Sequence, residues 1–256
     1  MRDLLEAVAA GEVSPEAAEA ELAGYATGGA GRFDAARTDR SGVPEAVLAD
    51  GKTPAEVASL AATAVETTDR AIVTRADEAV TEAVRDVLET DHPAVTVDVD
   101  DRSGVVVATT PAFERPDLDA SVGVVTAGTS DAVPAGEAAA IAREMGATVE
   151  RVDDVGVASL ARVVDSLEQL RDQDVLVVAA GREGALPTVL AGLVDAPIIG
   201  LPVSTGYGHG GEGEAALSGM IQSCTALSVV NVDAGFTAGA QAGLIARQID
   251  DARNGG

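Results

Sequence analysis

The sequence predicts an α/β protein in which a doubly wound, three-layer parallel sheet follows a smaller α+β domain. From about residue 118, short apolar strands alternate with helices, and Gly or Pro residues separate them. The chain before this point contains capped helices and two strands around a polar turn. The segment "PAFERPDLDA" combines prolines with acids and marks the boundary. The predicted domains are residues 1–117 and 118–256.

Helix-capping signals and a turn define the N-terminal domain. "SPEAAEAELAG" predicts a helix capped by Ser14, with Pro15 in its first turn. "TPAEVASLAATAVE" predicts a second helix, in which Thr53 and Glu56 form a capping box. "AVTVDV" and "SGVVVATT" predict two strands around the turn "DDRSG".

Five strands are predicted in the C-terminal domain, in the stretches "ASVGVVTAGT", "TVERV", "VLVVAAG", "APIIGLPV" and "LSVVNV". The predicted helices are "AVPAGEAAAIAREMGA", which ends at Gly146, then "VASLARVVDSLEQLRD", "GALPTVLAGLVD" and the closing "AGAQAGLIARQID". Right-handed crossovers of this kind build a parallel sheet covered on both faces.

The charge composition excludes several classes of function. The chain has 42 Asp and Glu residues against 17 Lys and Arg residues, a net charge of −25, so it repels nucleic acid and anionic membranes. Strong acidity, a single lysine and a core of small residues are typical of adaptation to a salt-rich cytoplasm. No signal-peptide pattern or apolar stretch of bilayer length is visible, so we expect a soluble cytoplasmic protein.

The loops that follow the predicted strands are the first places to look for a site, because ligands bind at the carboxyl ends of parallel strands. "TAGTSDAVPAGEAA" places Gly128, Thr129, Ser130 and Asp131 before a helix. The free N–H groups of the first helical turn suit an anion such as phosphate. The alternative is ordinary helix capping by Ser130 or Asp131.

The next two loops carry further candidates. In "AAGREGALP", Gly181 precedes Glu183 at a predicted helix start. Either the helix dipole stabilises this carboxylate, or a substrate lies against the glycines while the carboxylate acts as a base. The glycine-rich "LPVSTGYGHGGEGE", with Ser204 and Tyr207, predicts a mobile lid over a ligand. His209 with a nearby glutamate is a weak metal candidate in so flexible a loop, and no metal site is predicted.

Charged residues of the N-terminal part form a third group. Lys52 is the only lysine beside sixteen arginines, which indicates a need for a compact ammonium or a shifted pKa. Its stretch "ADGKTPAE" lacks the first glycine of a phosphate-binding P-loop. Upstream, Asp34, Arg37, Arg40 and Glu45 form either structural ion pairs or a clamp for phosphate or carboxylate.

Cys224 is the only cysteine of the chain and lies in "SGMIQSCTALSVVNVDAGF", after a helical stretch and before a strand. It has no partner for an internal disulfide. A free cysteine is usually a small buried residue, and the alternative is a reactive thiol. The polar neighbours and the preceding glycine-rich loop favour the second interpretation.

Several stretches together resemble the LarB family of nickel pincer cofactor biosynthesis proteins, whose C-terminal domain is similar to the purine enzyme aminoimidazole ribonucleotide carboxylase (PurE). They are "GVVTAGTSD", "DDVGVASLAR", "REGALPTVLAGLVDAPIIGLPVSTGYG" and "GMIQSCTALSVVNVDAGFTAGAQA", with "FDAARTDRSGVPEAVLADGKT" in the N-terminal part. The chain departs from the family at Ala161, where a histidine is expected, so no role for that histidine is carried over.

The resemblance implies an enzyme that carboxylates the pyridine ring of nicotinic acid adenine dinucleotide at C5 and splits its phosphoanhydride. The implied products are pyridinium-3,5-dicarboxylate mononucleotide and AMP, the first step of nickel pincer nucleotide synthesis. Carbon dioxide or bicarbonate is the co-substrate, no cofactor is tightly bound, and Mg²⁺ is a candidate ion on the phosphates. The family also implies a symmetric homo-oligomer, with an octamer as one form.

The resemblance assigns roles to the candidate residues. Cys224 is the nucleophile that adds to the ring, and Glu183 is the proton acceptor. Asp34 and Lys52 assist anhydride cleavage or bind the dinucleotide, and the other candidates bind substrate: Gly128, Thr129, Ser130, Asp131, Arg37, Arg40, Glu45, Gly181, Ser204 and Tyr207. The alternative functions are aminoimidazole ribonucleotide carboxylase or mutase, and a non-catalytic nucleotide-binding regulator in which Cys224 is a packing residue.

Overall fold

The computed structural model describes residues 2–11, 13–15, 18, 22 and 24–255. The chain forms two compact units, Met1–Glu114 and Arg115–Gly256. The helix predicted for "SPEAAEAELAG" lies in large part outside the described residues. None of the described helices has the length and apolar character needed to cross a membrane.

The N-terminal unit is an α+β domain, as predicted. Its helices are α1 (Arg2–Ala10), α2 (Arg37–Ser41), α3 (Pro54–Thr68) and α4 (Glu78–Asp91). Its strands are β1 (Ala26–Gly28), β2 (Gly31–Phe33), β3 (Val47–Leu48), β4 (Arg70–Thr74), β5 (Thr96–Asp100) and β6 (Val105–Thr109). Strands β1 and β2 form an antiparallel pair, and the others form a mixed sheet in the order β3-β4-β6-β5.

Local signals account for much of this unit. The Thr53 hydroxyl accepts a hydrogen bond from Glu56 N at 3.3 Å, and the Glu56 carboxylate accepts one from Thr53 N at 2.7 Å, so α3 begins with the predicted capping box. The predicted pair β5 and β6 is antiparallel. Strand β4, in which every residue is buried, and helix α4 were not predicted from the sequence.

The C-terminal unit has five strands: β7 (Ser121–Thr126), β8 (Thr148–Val152), β9 (Val175–Ala180), β10 (Ile198–Pro202) and β11 (Ser228–Val229). Its α-helices are α5 (Ala132–Glu144), α6 (Leu160–Asp165), α7 (Leu167–Arg171), α8 (Ala185–Leu190), α9 (Glu214–Ile221) and α10 (Gly235–Asn254). All strand pairs are parallel, in the order β11-β10-β9-β7-β8. The predicted doubly wound sheet is therefore confirmed.

Small residues allow the helices to pack closely on this sheet. A Cβ added at Gly239 of α10 would lie 2.4 Å from the carbonyl oxygen of Ala138 in α5, whereas one at Gly243 would meet only the side chain of Met145. Only glycine permits so short a distance between the two helix backbones. One apolar cluster lies on this side of the sheet, and a second contains Leu176, Leu186 and Met220 on the other side.

Two predicted helices differ from the observed ones. The stretch "VASLARVVDSLEQLRD" forms the two helices α6 and α7 rather than one. Ser166 lies between them, and its N–H and its hydroxyl both donate to the Arg162 carbonyl, at 3.3 and 3.0 Å. Helix α8 ends at Leu190, earlier than predicted, and the Leu193 carbonyl accepts hydrogen bonds from the Arg171 guanidinium.

Candidate active site

The strand order places a crevice between β7 and β9. The chain continues from β7 to β8 on one side and to β9 on the other, so the loops that follow β7 and β9 leave the sheet in different directions. The Ala127 N–H donates to the Ala179 carbonyl at 3.0 Å, which keeps the two strand ends together. Open α/β sheets bind ligands at such a switch point.

Asp131 is the buried carboxylate of this crevice. Its side chain accepts a hydrogen bond from Gly128 N at 2.8 Å and lies 3.4 Å from the hydroxyls of Ser130 and Thr205. Burial raises the pKa of the Asp131 carboxyl, and these hydrogen bonds oppose the effect only in part. Asp131 is therefore easier to protonate than an ordinary aspartate.

Asp131 contributes to capping at the start of α5. It makes no side-chain cap bond to α5 itself, but its carboxylate accepts from Gly128 N at 2.8 Å and closes the capping box of the short 3₁₀ turn Thr129–Asp131 that leads into α5. The helix-capping interpretation is therefore supported for Asp131. The binding of phosphate or carboxylate by the N–H groups of this helix start stays a prediction.

The loop after β8 supports the loop after β7. Thr126, the last residue of β7, donates to Asp153 at 3.0 Å and accepts from Asp154 N at 3.1 Å. The side chain of Arg162 bonds to Asp154, with an N–O distance of 2.7 Å in the ion pair. These residues were not among the site residues predicted from the sequence. Their position directly after a parallel strand was the available signal.

Glu183 lies at a cavity of about 240 Å³ between the loops after β9 and β10. The cavity is also lined by Arg182, Thr205, Tyr207 and His209. Gly181 allows this closeness of the loops, because an added Cβ would lie 2.4 Å from the Thr205 carbonyl oxygen. Thr205 also reaches Asp131, so the cavity adjoins the buried carboxylate.

Arg182 and Tyr207 form a stacked pair at this cavity. The guanidinium carbon of Arg182 lies 4.3 Å from the centroid of the Tyr207 ring, whereas 82% of Tyr207 is exposed to solvent. The backbone of Arg182 has a φ of 54°, in the left-handed region that non-glycine residues rarely adopt. Such conformations are concentrated at functional sites.

Hydrogen bonds of Asp233 hold the first residues of the glycine-rich loop after β10. Ser204 contributes its backbone N–H, which donates to Asp233 at 2.9 Å, and Asp233 N in turn donates to the Pro202 carbonyl at 2.9 Å. Gly208, Gly210 and Gly213 have positive φ angles. The role of this segment as a mobile lid remains a prediction.

Cys224 lies in the connection between α9 and β11 and is exposed to solvent. The buried, packing interpretation of this cysteine is therefore wrong. Beside it, the hydroxyls of Ser223 and Thr225 are 2.6 Å apart. The connection leads into the amino end of β11, and Cys224 is not among the residues that line the cavity of Glu183. The structure does not bring these two predicted catalytic residues together in one cavity.

The candidates of the N-terminal unit are bonded to one another. Arg40 binds Asp34 through two hydrogen bonds of 3.2 and 2.5 Å, and Arg37 lies 2.6 Å from Glu45. Lys52 donates to the Leu48 carbonyl at 2.6 Å. These contacts are the ion pairs of the first interpretation, and a clamp for a ligand would have to open or extend them.

No group of three or more His, Cys, Asp or Glu side chains in the described ranges is arranged to hold a metal ion. His209 lines the cavity without such neighbours. Mg²⁺ on the phosphates of the dinucleotide does not depend on such a group and stays a prediction.

The comparison with known families agrees with this geometry. Residues 121–254 match the model of the AIR carboxylase family, which places the C-terminal unit among carboxylase-related enzymes. Residues 25–107 match the LarB/PurE-like N-terminal domain. The chain belongs to the LarB family and carries a PurE-like domain. Uncharacterized protein MJ0165 of Methanocaldococcus jannaschii is 34% identical over 219 residues, which cover 84% of each chain.

Proposed function

We propose that this enzyme carboxylates nicotinic acid adenine dinucleotide at C5 of its pyridine ring and hydrolyses the phosphoanhydride. The products are pyridinium-3,5-dicarboxylate mononucleotide and AMP, and the reaction is the first step of nickel pincer nucleotide synthesis. The exposure of Cys224 carries the proposal, because a free, exposed thiol in a carboxylase-related chain is available to a substrate ring.

The thiol makes the ring reactive. A pyridinium ring is electron-poor and does not attack carbon dioxide. When the Cys224 thiolate forms a C–S bond to the ring, the ring becomes a neutral dihydropyridine with a nucleophilic, enamine-like C5. C5 then forms a C–C bond to carbon dioxide. Glu183 accepts the C5 proton, and the C–S electron pair leaves with the thiolate, which restores the aromatic ring.

We propose that a second copy of the chain completes the site, since Cys224 does not line the Glu183 cavity of its own chain. Cys224 precedes β11, whereas Glu183 lies in the loop that follows β9. In the homo-oligomer that we propose, one copy presents its exposed Cys224 at the cavity of its neighbour. The proton acceptor and the nucleophile then come from different subunits.

The crevice at β7 receives the phosphates. The first turn of α5 offers backbone N–H groups, and the hydroxyls of Thr129 and Ser130 flank it. Asp131 has a raised pKa and lies beside Ser130, so it is suited to donate a hydrogen bond or a proton to a phosphate oxygen. Water attacks the anhydride, and AMP is the leaving product. Asp34 and Lys52 are proposed to assist anhydride cleavage or to bind the dinucleotide, and Arg37, Arg40 and Glu45 are proposed to bind it.

Aminoimidazole ribonucleotide carboxylation is the second candidate, because the C-terminal unit matches the AIR carboxylase family. The test is to incubate the protein with bicarbonate and either nicotinic acid adenine dinucleotide or aminoimidazole ribonucleotide, and to analyse the products by mass spectrometry. We expect AMP and a mononucleotide with one added carboxyl group from the dinucleotide. Carboxylation of aminoimidazole ribonucleotide alone would favour the second candidate, and no product from either would favour a non-catalytic regulator.

A further inference from the structure

Arg162 and Arg182 both lie in loops at the carboxyl ends of strands, but they differ in their partners. Arg162 is neutralised by Asp154, at 2.7 Å. Among the residues that the structure describes, no carboxylate pairs with Arg182. Its guanidinium carbon lies 4.3 Å from the centroid of the Tyr207 ring. In a chain of net charge −25, a positive charge without an acidic partner at a cavity is available for an anionic ligand.

The stacking on Tyr207 also fixes the orientation of the guanidinium. A guanidinium that stacks on a ring keeps its N–H groups in its own plane, so two of them can donate parallel hydrogen bonds to one carboxylate. The loop after β10 lies beside Arg182, since a Cβ added at Gly206 would be in ordinary van der Waals contact, 3.7 Å from Arg182 N. The pair therefore presents an ordered, planar cation together with an exposed aromatic face.

The size of the cavity limits which part of the substrate can lie beside Arg182 and Tyr207. Its volume of about 240 Å³ is below the roughly 300–1,000 Å³ of sites for drug-sized ligands. It suits one aromatic ring with a carboxyl group, and a whole dinucleotide has to extend outside it. Glu183, the proposed proton acceptor, lines the same cavity, so the ring that enters is the one that loses its proton.

We propose that Arg182, held by Tyr207, binds the carboxylate of a pyridine-3-carboxylate ring and so selects the acid dinucleotide over its amide counterpart. This inference rests on the proposed function and identifies which ligand group the Glu183 cavity recognises. An amide is neutral and cannot form the charge-assisted pair. A phosphate-binding role, in contrast, would favour both dinucleotides equally.

The test compares kcat/KM for nicotinic acid adenine dinucleotide and nicotinamide adenine dinucleotide at one fixed salt concentration. Arg182→Met keeps the Cβ, the apolar stem and the backbone strain but removes the charge. We expect it to reduce the acid preference at least tenfold, chiefly through KM for the acid. The matched control is Arg85→Met, which removes an exposed arginine of α4 outside the candidate site and should leave the preference unchanged.

Variants of Tyr207 distinguish the positioning of the Arg182 guanidinium from the contribution of its charge. Tyr207→Ala removes the ring that holds the guanidinium and should lose part of the acid preference, whereas Tyr207→Phe keeps the ring and should restore most of it. If Arg182→Met lowers kcat/KM for both dinucleotides equally, or leaves their ratio unchanged, the inference is overturned while the proposed function stands.

A binding measurement keeps the inference testable if no turnover occurs. Calorimetric titration with free nicotinic acid and free nicotinamide does not depend on carboxylation. Preferential binding of nicotinic acid that Arg182→Met removes would support the inference even if the proposed reaction is absent. Equal binding of the two compounds, or no binding of nicotinic acid, would overturn it.

Discussion

The charged residues around β2 in the N-terminal unit and the reactive groups of the C-terminal unit have opposite surroundings. Arg40 is bound to Asp34 by two hydrogen bonds, and that carboxylate raises the pKa of Arg40. In the C-terminal unit, by contrast, burial raises the pKa of Asp131, and an aromatic ring holds Arg182.

This difference separates residues that stabilise the fold from residues that are available to a ligand. An ion pair at the surface satisfies both partners and contributes about 0–1 kcal/mol. Burial of Asp131 disfavours its ionised form and so costs folding free energy at neutral pH, whereas Arg182 is exposed and is held by an aromatic ring. Both groups are therefore available to a ligand. We therefore expect the larger losses of activity in the C-terminal unit and smaller ones in the N-terminal unit.

The largest effect is expected at Cys224. Cys224→Ala and Cys224→Ser should abolish carboxylation because neither side chain can form the ring adduct, while the fold and dinucleotide binding remain. Turnover is measured by AMP release and by mass analysis of the carboxylated product. Near-normal turnover by Cys224→Ala would show that the covalent mechanism is wrong.

Complementation between two inactive variants tests whether the site is shared between two copies of the chain. Cys224→Ala and Glu183→Gln chains, each inactive alone, should regain activity when they are co-expressed in mixed oligomers. Mixed oligomers that stay inactive would contradict the shared site, without affecting the reaction of the wild-type protein.

Asp131→Asn should separate activity from stability. We expect kcat/KM to fall about a hundredfold, the lower end of general acid–base effects. Because the folded-state pKa of Asp131 is raised, ionisation at neutral pH disfavours folding, and asparagine removes this cost. The variant should therefore be at least as stable as wild type at neutral pH, and this advantage should shrink as pH falls through the raised pKa.

Thermal unfolding across this pH range measures the effect. A variant that is less stable than wild type by the same amount at neutral and acidic pH would show that the carboxylate stabilises the fold through its hydrogen bonds rather than costing stability.

A smaller loss is expected at Lys52 in the N-terminal unit. Lys52→Arg should reduce kcat/KM about tenfold, or roughly 1.4 kcal/mol, because guanidinium is larger, planar and cannot shift its pKa usefully. The assay follows AMP release from the dinucleotide. Wild-type kinetics would show that Lys52 only closes the turn to the Leu48 carbonyl, which lies 2.6 Å from its ammonium.

The smallest expected effect is the change of the melting temperature with salt concentration, which depends on the charge of the whole chain. The net charge of −25 favours self-repulsion, so the melting temperature should rise by several degrees between low and molar KCl as the charges are screened. A melting temperature that is flat or falls over this range would refute adaptation to high salt. Sucrose at matched water activity, which screens no charge, is the control.

Regular patterns allowed most of the C-terminal fold to be predicted from the sequence. The strands of the sheet are short apolar stretches, and the capping box of Thr53 and Glu56 is formed by neighbouring residues. Strand β4 was missed, since its five residues begin directly after a helix and carry arginine at the first position. The break between α6 and α7 was also missed, because only one residue, Ser166, separates the two helices.

The sequence by itself determined the candidate loops, because ligands bind after parallel strands and the strands were visible as apolar stretches. Only the tertiary structure decided which groups lie together. It placed Thr205 beside Asp131, stacked Arg182 on Tyr207 and exposed Cys224, which is not among the residues that line the cavity of Glu183. These relations join residues distant in sequence, and they depend on burial and strand order, which local patterns do not contain.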